Sequence, residues 1–286
     1  MNLTINIIGT GNLGKTIGRL LNIHHLATIQ GIYNRTLAHS IEGAQFIGAG
    51  TPISDIHSLP AADIQFITTP DDAIAETCLM LCQNKNIKPG SIIIHCSGAF
   101  TSDILLPIKP LGCFVASIHP MHSFANPEIS VSQYAGTFCS IEGDPQATEV
   151  LTPLFEAFGS QLYFINKEKK ALTHVAGVFA SNYLITLSQQ ALSCLQEAGV
   201  EQNIAMKIIA HLMKGTVLNL EKTMSPENSL TGPIQRGDTV TIKNHLAALE
   251  NAQQKDLYAL LGQATMNITP HSKSKLESLR KMFNFK

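Results

Sequence analysis

Two patterns of apolar residues follow one another along the chain. Up to about residue 165, short β-branched and apolar runs at Thr4–Ile8, Ile29–Tyr33, Ile64–Thr68, Ile92–Cys96, Cys113–Ile118 and Gly136–Ser140 read as strands, with a weaker one at Gln161–Ile165. Between them, Leu13–Leu21, Leu37–Phe46 and Ala73–Leu81 have helical spacing. Strands alternating with helices of this size need crossover connections and a mostly parallel sheet. The unbroken Ile92-Ile93-Ile94 suits a strand covered on both faces. From Lys167 strand signals stop. Lys169–Leu195 is apolar nearly all round, the pattern of a helix buried on most faces. Ile204, Ile208, Leu212 and Leu220, with Met213 and Val217, form a cleaner helical stripe. A turn-rich segment then leads to Asp238, placed to cap a helix starting at Thr239. The expected class is α/β: a doubly wound, mostly parallel sheet domain over residues 1–166, then an all-α domain over 167–286.

Gly9-Thr10-Gly11-Asn12-Leu13-Gly14 lies between the first strand and the first helix. Gly9 permits a tight turn, Gly11 a close backbone approach to a diphosphate, and Gly14 close helix–strand packing. The N–H groups of Asn12 and Leu13 and the helix dipole then face the phosphates. This is the pattern of a dinucleotide-binding Rossmann domain. The second strand ends in Asn34-Arg35-Thr36, without the Asp or Glu that would accept from a ribose 2′-hydroxyl. Donors and a fixed positive charge there suit a 2′-phosphate, so NADP is the expected cofactor. Thr69-Pro70 and Ser97-Gly98 follow two further strands and border the same crevice. Asp72 reads as a cap for the helix near Ala73.

Candidate proton donors lie beyond the turn. His119 and His122 follow the strand ending at Ile118, and a histidine at a strand's carboxyl end has a pKa suited to acid–base work. His119 equally reads as a hydrogen-bonded core residue before Pro120. The two lack the further ligands of a metal site, and no metal is expected. On the long helix His174, Val178 and either Ser181 or Asn182 share a face by fours. His174 is placed to protonate a substrate and Asn182 to orient it, as is Ser97. Arg236, between Gly232 and Asp238, is a candidate for an anionic group.

Charge narrows the partners. Twenty Lys and Arg against 21 Asp and Glu give a net charge of −1, without the basic surplus that nucleic-acid binding needs. The cluster Lys167-Glu168-Lys169-Lys170 reads as solvated helix surface. The six cysteines show no metal spacing and suit a reducing compartment. No apolar run is long enough to span a bilayer and no signal peptide is visible. The expectation is a cytoplasmic protein with a small-molecule substrate and neither nucleic-acid nor membrane partner, forming a homodimer through its helical domain.

The turn motif with Asn34-Arg35-Thr36 and Thr69-Pro70-Asp71 resembles the NADP-binding half of pyrroline-5-carboxylate reductases and deazaflavin-dependent NADP reductases. His119-Pro120…Phe124, His174…Ala180-Ser181-Asn182 and Thr231-Gly232-Pro233…Arg236-Gly237-Asp238 are similar to an uncharacterised bacterial family with a Rossmann-like domain and a C-terminal domain of unknown function. The resemblance covers nearly the whole chain. It implies a helical C-terminal domain of the 6-phosphogluconate dehydrogenase type. Related hydroxyacid dehydrogenases carry a lysine one turn before the asparagine, where this chain has Val178. The combined reading is an NADP-dependent oxidoreductase moving a hydride to or from a small carbonyl or imine in a cleft between the domains. The alternative is a non-catalytic dinucleotide-binding sensor or scaffold.

Overall fold

The structure is a computed structural model describing residues 3–283. The chain divides into two compact units, Met1–Asn182 and Tyr183–Lys286.

The first unit is built on eight strands: β1 (Leu3–Ile8), β2 (Ala27–Tyr33), β3 (Thr51–Ile53), β4 (Ile64–Ile67), β5 (Ile92–His95), β6 (Phe114–Pro120), β7 (Phe138–Gly143) and β8 (Gln161–Phe164). Their order is β3-β2-β1-β4-β5-β6-β7-β8, and only the β6–β7 pair is antiparallel. The seven strands expected from the sequence all form. The eighth, β3, is an edge strand of three residues containing Pro52, too short and too broken to carry a period. Alternate residues serve opposite faces. Ile5, Ile7, Ile92 and Ile94 enter one buried apolar cluster with Phe66 and Phe155. Ile8, Ile67 and Ile93 enter another with Leu105, Ile108 and Val115. Both faces are covered, which is why the strands read as unbroken apolar runs. The β1–β2 register shifts between Ile5 and Ile7, and the Gly31 N–H there donates to Asn6 Oδ1 at 2.8 Å. A buried amide thus replaces a ladder bond that the shift removes.

Helices α1 (Asn12–Ile23), α2 (Leu37–Ile47), α3 (Ile74–Cys82), α4 (Pro127–Gln133) and α5 (Pro145–Glu156) belong to this unit. The β5–β6 connection runs instead through a 3₁₀ segment, Ser102–Leu111, where Pro107 and Pro110 remove the N–H donors an α-helix needs. Asp72 does not act as expected: Asp71–Ala73 is a 3₁₀ turn, and α3 starts behind Ala73 with no side-chain cap. The unit closes with α6 (Lys170–Gly177) and a π turn, Val178–Asn182. The apolar period changes at residue 166 but the contacts divide at Asn182, because Lys170 roots α6 in the sheet.

The second unit holds α7 (Tyr183–Glu197), α8 (Gln202–Thr223), two single turns, α9 (Pro226–Ser229) and α10 (Pro233–Arg236), then α11 (Thr239–Ala248), α12 (Ala252–Met266) and α13 (Lys273–Phe283). Asp238 caps α11 as expected, its carboxylate accepting from the Thr241 N–H at 3.0 Å. A small core gathers Ile242, Leu246, Ala259, Met266, Leu279 and Phe283. The helix expected to be buried on most faces is only partly covered by its own chain. Lys170 is the one buried residue of α6, α7 has none, and α8 has only Ala205 and Ile209. Periodicity reports which face of a helix is apolar, but not which molecule covers it. No helix among the described residues is long and apolar enough to cross a membrane.

Candidate active site

Strand order reverses between β1 and β4, and a ligand crevice forms at the carboxyl ends of strands where this happens. A cavity of about 760 Å³ opens there. Gly9, Gly11, Asn12, Leu13, Asn34, Arg35, Thr69, Pro70 and Ser97 line it, and so does His39, which sequence reasoning passed over. Thr10, Gly14, Thr36 and Gly98 are not in its wall.

The glycines of the turn are needed for different reasons. Gly9 has φ +94°, and a side chain on it would press into the Thr68–Thr69 backbone. One on Gly14 would meet the Gly9 carbonyl. A Cβ on Gly11 would touch nothing within 4 Å, so no internal contact demands glycine there. What it leaves clear is the cavity. Gly11 is also the N-cap of α1 and offers no side chain to its first N–H groups, which face the cavity as open donors with the positive end of a twelve-residue helix behind them. Nearby, the buried Thr69 hydroxyl has no hydrogen-bond partner among the described residues. An open glycine, an uncapped helix start and an orphaned hydroxyl together fit the diphosphate of a dinucleotide.

Asn34, Arg35 and Thr36 divide their work. Asn34 Oδ1 accepts from the Thr10 N–H at 2.8 Å, and Asn34 Nδ2 donates to Thr10 Oγ1 at 2.8 Å. Its amide braces the glycine turn. Thr36 Oγ1 caps α2 by accepting from the His39 N–H. Arg35 stands exposed at the rim with no hydrogen bond or ion pair among the described residues, leaving its guanidinium free for an anion. Asn12 Nδ2 is spent on the Phe124 and Ala125 carbonyls, fastening the loop after β6 to the start of α1.

Next to this cavity two imidazoles converge on Gly98. A Cβ at Gly98 would lie 2.5 Å from His174 Nδ1 and 2.7 Å from His119 Nε2. Only glycine leaves the rings room. Their centroids are 5.5 Å apart in an edge-on arrangement. His119 belongs to β6 itself, paired with Ser140, rather than to the loop after it. Its Nδ1 is buried without a partner, which leaves Nε2, toward Gly98, as the nitrogen placed to meet a ligand. Burial, then the neighbouring His174, then the Lys170 charge push the His119 imidazole down to about 4. His174 is exposed on α6. Ser97 is buried, and its Oγ accepts from the Ala99 and Phe100 N–H groups, folding the loop that presents Gly98.

Beneath the pair lies a network that sequence reasoning missed. Lys170, read above as solvated surface, is 1% exposed. Its ammonium donates to Ser117 Oγ and, at 3.1 Å, to Glu142 Oε1. Glu142 also accepts from the Ser102 N–H at 2.8 Å and the Ser102 hydroxyl at 2.7 Å. His95 Nδ1 accepts from the Ser97 N–H at 3.1 Å, and its Nε2 lies 3.2 Å from the Thr101 carbonyl, which makes Nε2 the protonated nitrogen. Burial first and Lys170 second hold His95 down to about 4. The available signal was one of spacing: Lys170 and His174 are one helical turn apart, while Ser117 and His119 share a strand face.

The remaining expected residues lie elsewhere. His122 packs edge-on against Phe124 and near Tyr134, with its Nδ1 3.4 Å from Thr137 Oγ1. Asn182 is exposed in the π turn. Arg236 belongs to the second unit, exposed at the end of α10. Among the described residues no three His, Cys, Asp or Glu side chains are grouped to hold a metal ion.

Residues 1–120 match a Rossmann-like domain and residues 137–265 match a domain of unknown function (DUF2520). The sequence resembles this pairing along most of its length. A Rossmann-like sheet domain precedes an all-helical one. Among solved structures, a candidate NADP oxidoreductase, BF3122 from Bacteroides fragilis, is 21% identical over 93% of this chain and 98% of its own, with a TM-score of 0.74. Protein TM1727 from Thermotoga maritima is 26% identical over 96% and 99%, with a TM-score of 0.71. A reductive aminase from Aspergillus terreus, in complex with NADPH and ethyl levulinate, is 13% identical over 99% and 100%, also at 0.71. A comparison with proteins of curated function finds no match. The chain shares its fold with oxidoreductases that bind NADP(H).

Proposed function

We propose that this chain is an NADP(H)-dependent oxidoreductase acting on a small carbonyl or imine compound. The convergence of His119 Nε2 and His174 Nδ1 over Gly98, beside a cavity suited to a dinucleotide, carries the reading. Gly11 and the α1 N-terminus would hold the diphosphate, with Arg35 and His39 beside the 2′-phosphate. When bound, the reduced dinucleotide supplies the hydride. His119, neutral and half-buried, donates a hydrogen bond from Nε2 to the substrate oxygen or nitrogen. His174 delivers the proton to that atom and recovers one from solvent, to which it is open. The shared fold of the NADPH-bound reductive aminase supports this substrate class.

Calorimetry with NADPH and NADH, followed by NADPH oxidation over a panel of oxo acids and cyclic imines, tests the proposal. Tight NADPH binding with turnover that His174→Ala abolishes is the expected outcome. Binding without turnover on any compound would instead favour the dinucleotide sensor, and no heat with either nucleotide would end both readings.

We also infer that a second copy of the chain covers the apolar faces of α7 and α8. Ile185 on α7 is 71% exposed, and Ile204, Ile208 and Leu212, successive turns along one face of α8, are 52%, 37% and 64% exposed. Such a run of exposed apolar side chains marks an association surface. Light scattering giving the mass of one chain at micromolar concentration would overturn the dimer.

A further inference from the structure

Lys170 and Glu142 form the one ion pair of the described residues in which both partners are buried, 1% and 5% exposed at the side chain. Such a pair adds little stability over apolar side chains of the same volume, because desolvation of both charges offsets their attraction. Its place suggests another use. Along α6, Lys170 and His174 are four residues apart, a rise of about 6 Å. Along β6, Ser117 and His119 are two residues apart, about 6.7 Å. The two spacings match, so Lys170 meets Ser117 on one rung while His174 meets His119 on the next.

We propose that Lys170 is a positioning residue: its buried ammonium registers α6 on β6, so that the two imidazoles meet over Gly98. Its charge adds to the burial and the His174 ring that together hold His119 neutral. The inference rests on the reading of His119 and His174 as the reacting pair. His174 and Lys170 on α6 act on His119 directly. Around Lys170 stand Glu142 on β7, Cys96 just after β5 and Asp71 in the 3₁₀ turn before α3, with His95 on β5 under its influence, while Cys139 on β7 pairs with Pro120, the residue after His119. Lys170 is the fixed positive charge among them. Burial works against its ammonium and Glu142 works for it. The bare, buried Nδ1 of His119 suits a ring that stays neutral.

Histidine-selective NMR titration on the substrate-free protein tests this, with His119→Asn assigning the resonance. In K170M/E142Q, which replaces the ion pair by neutral side chains of similar shape, the His119 ring should titrate at a higher pH than in the wild type. K170R, which keeps the charge, should leave it where it was. NADPH affinity should be unchanged in both. A wild-type His119 titration in folded K170M/E142Q overturns the proposal. Should that variant not fold, Ser117→Ala decides: weakened cross-peaks between the His119 and His174 rings support the registering contact, and unchanged ones overturn it. Because the titration needs no turnover, failure of the oxidoreductase reading remains a separate result.

Discussion

The two units of this chain finish their cores in different ways. In the first, both sheet faces are covered by helices and connections from the same chain, and several polar residues inside are paired: Asn6 with the Gly31 N–H, Glu142 with Lys170 and Ser102. In the second, six buried side chains make a small core around α11, α12 and α13, while α7 leaves most of its apolar residues half-buried and α8 leaves most of its own exposed. Nearly equal signals of apolar periodicity thus lead to opposite burial. A sheet with crossover helices closes on itself. Antiparallel helices bury one stripe against each other and need another surface for the rest.

Paired substitutions offer the strongest way to break this contrast. Phe155→Ala in the first unit, at a fully buried ring, should cost about 3–5 kcal/mol at any protein concentration. Leu212→Ala should cost under about 0.5 kcal/mol if α8 is solvated. A larger loss that grows with dilution in urea unfolding means that a second copy covers it. Acid comes next. A histidine held at about 4 in the folded state and near its ordinary value of about 6.5 when unfolded binds more protons unfolded between those two values. Stability therefore falls as pH drops from about 6.5 toward 4, by up to about 3 kcal/mol for the fully buried His95. His95→Gln should flatten that slope in urea titrations at stepped pH, and an unchanged slope would assign the acid sensitivity elsewhere.

Smaller effects sharpen the comparison at particular residues. Arg35→Ala should weaken NADPH binding by roughly 1.5–3 kcal/mol while leaving NADH nearly untouched, the loss of a charged hydrogen bond to phosphate. Equal weakening of both would give Arg35 a structural role instead. Asp238→Ala should remove about 1 kcal/mol by uncapping α11, seen as a lower melting temperature with NADPH affinity unchanged.

Much of the candidate site was legible because its signals are local. The glycine turn, the Asn34-Arg35-Thr36 ending and the Asp238 cap are each read from a few neighbouring residues whose backbone demands are short-ranged. Lys170 was not legible. A lysine in a Lys-Glu-Lys-Lys run looks solvated until its partners Ser117 and Glu142, 53 and 28 residues away, are brought against it. Gly98 likewise stood out only as a strand-end glycine. That two imidazoles crowd its missing side chain depends on α6 lying across β6.

Alone, the amino-acid order determined the alternation of strands and helices, the change of period near residue 166 and the glycine turn before α1, since these follow from side-chain spacing along one stretch of backbone. The tertiary structure decided which histidines meet, that a lysine is buried beneath them, and that the chain covers α7 and α8 only in part. Those outcomes depend on distances between residues far apart in the chain, and packing rather than periodicity sets such distances.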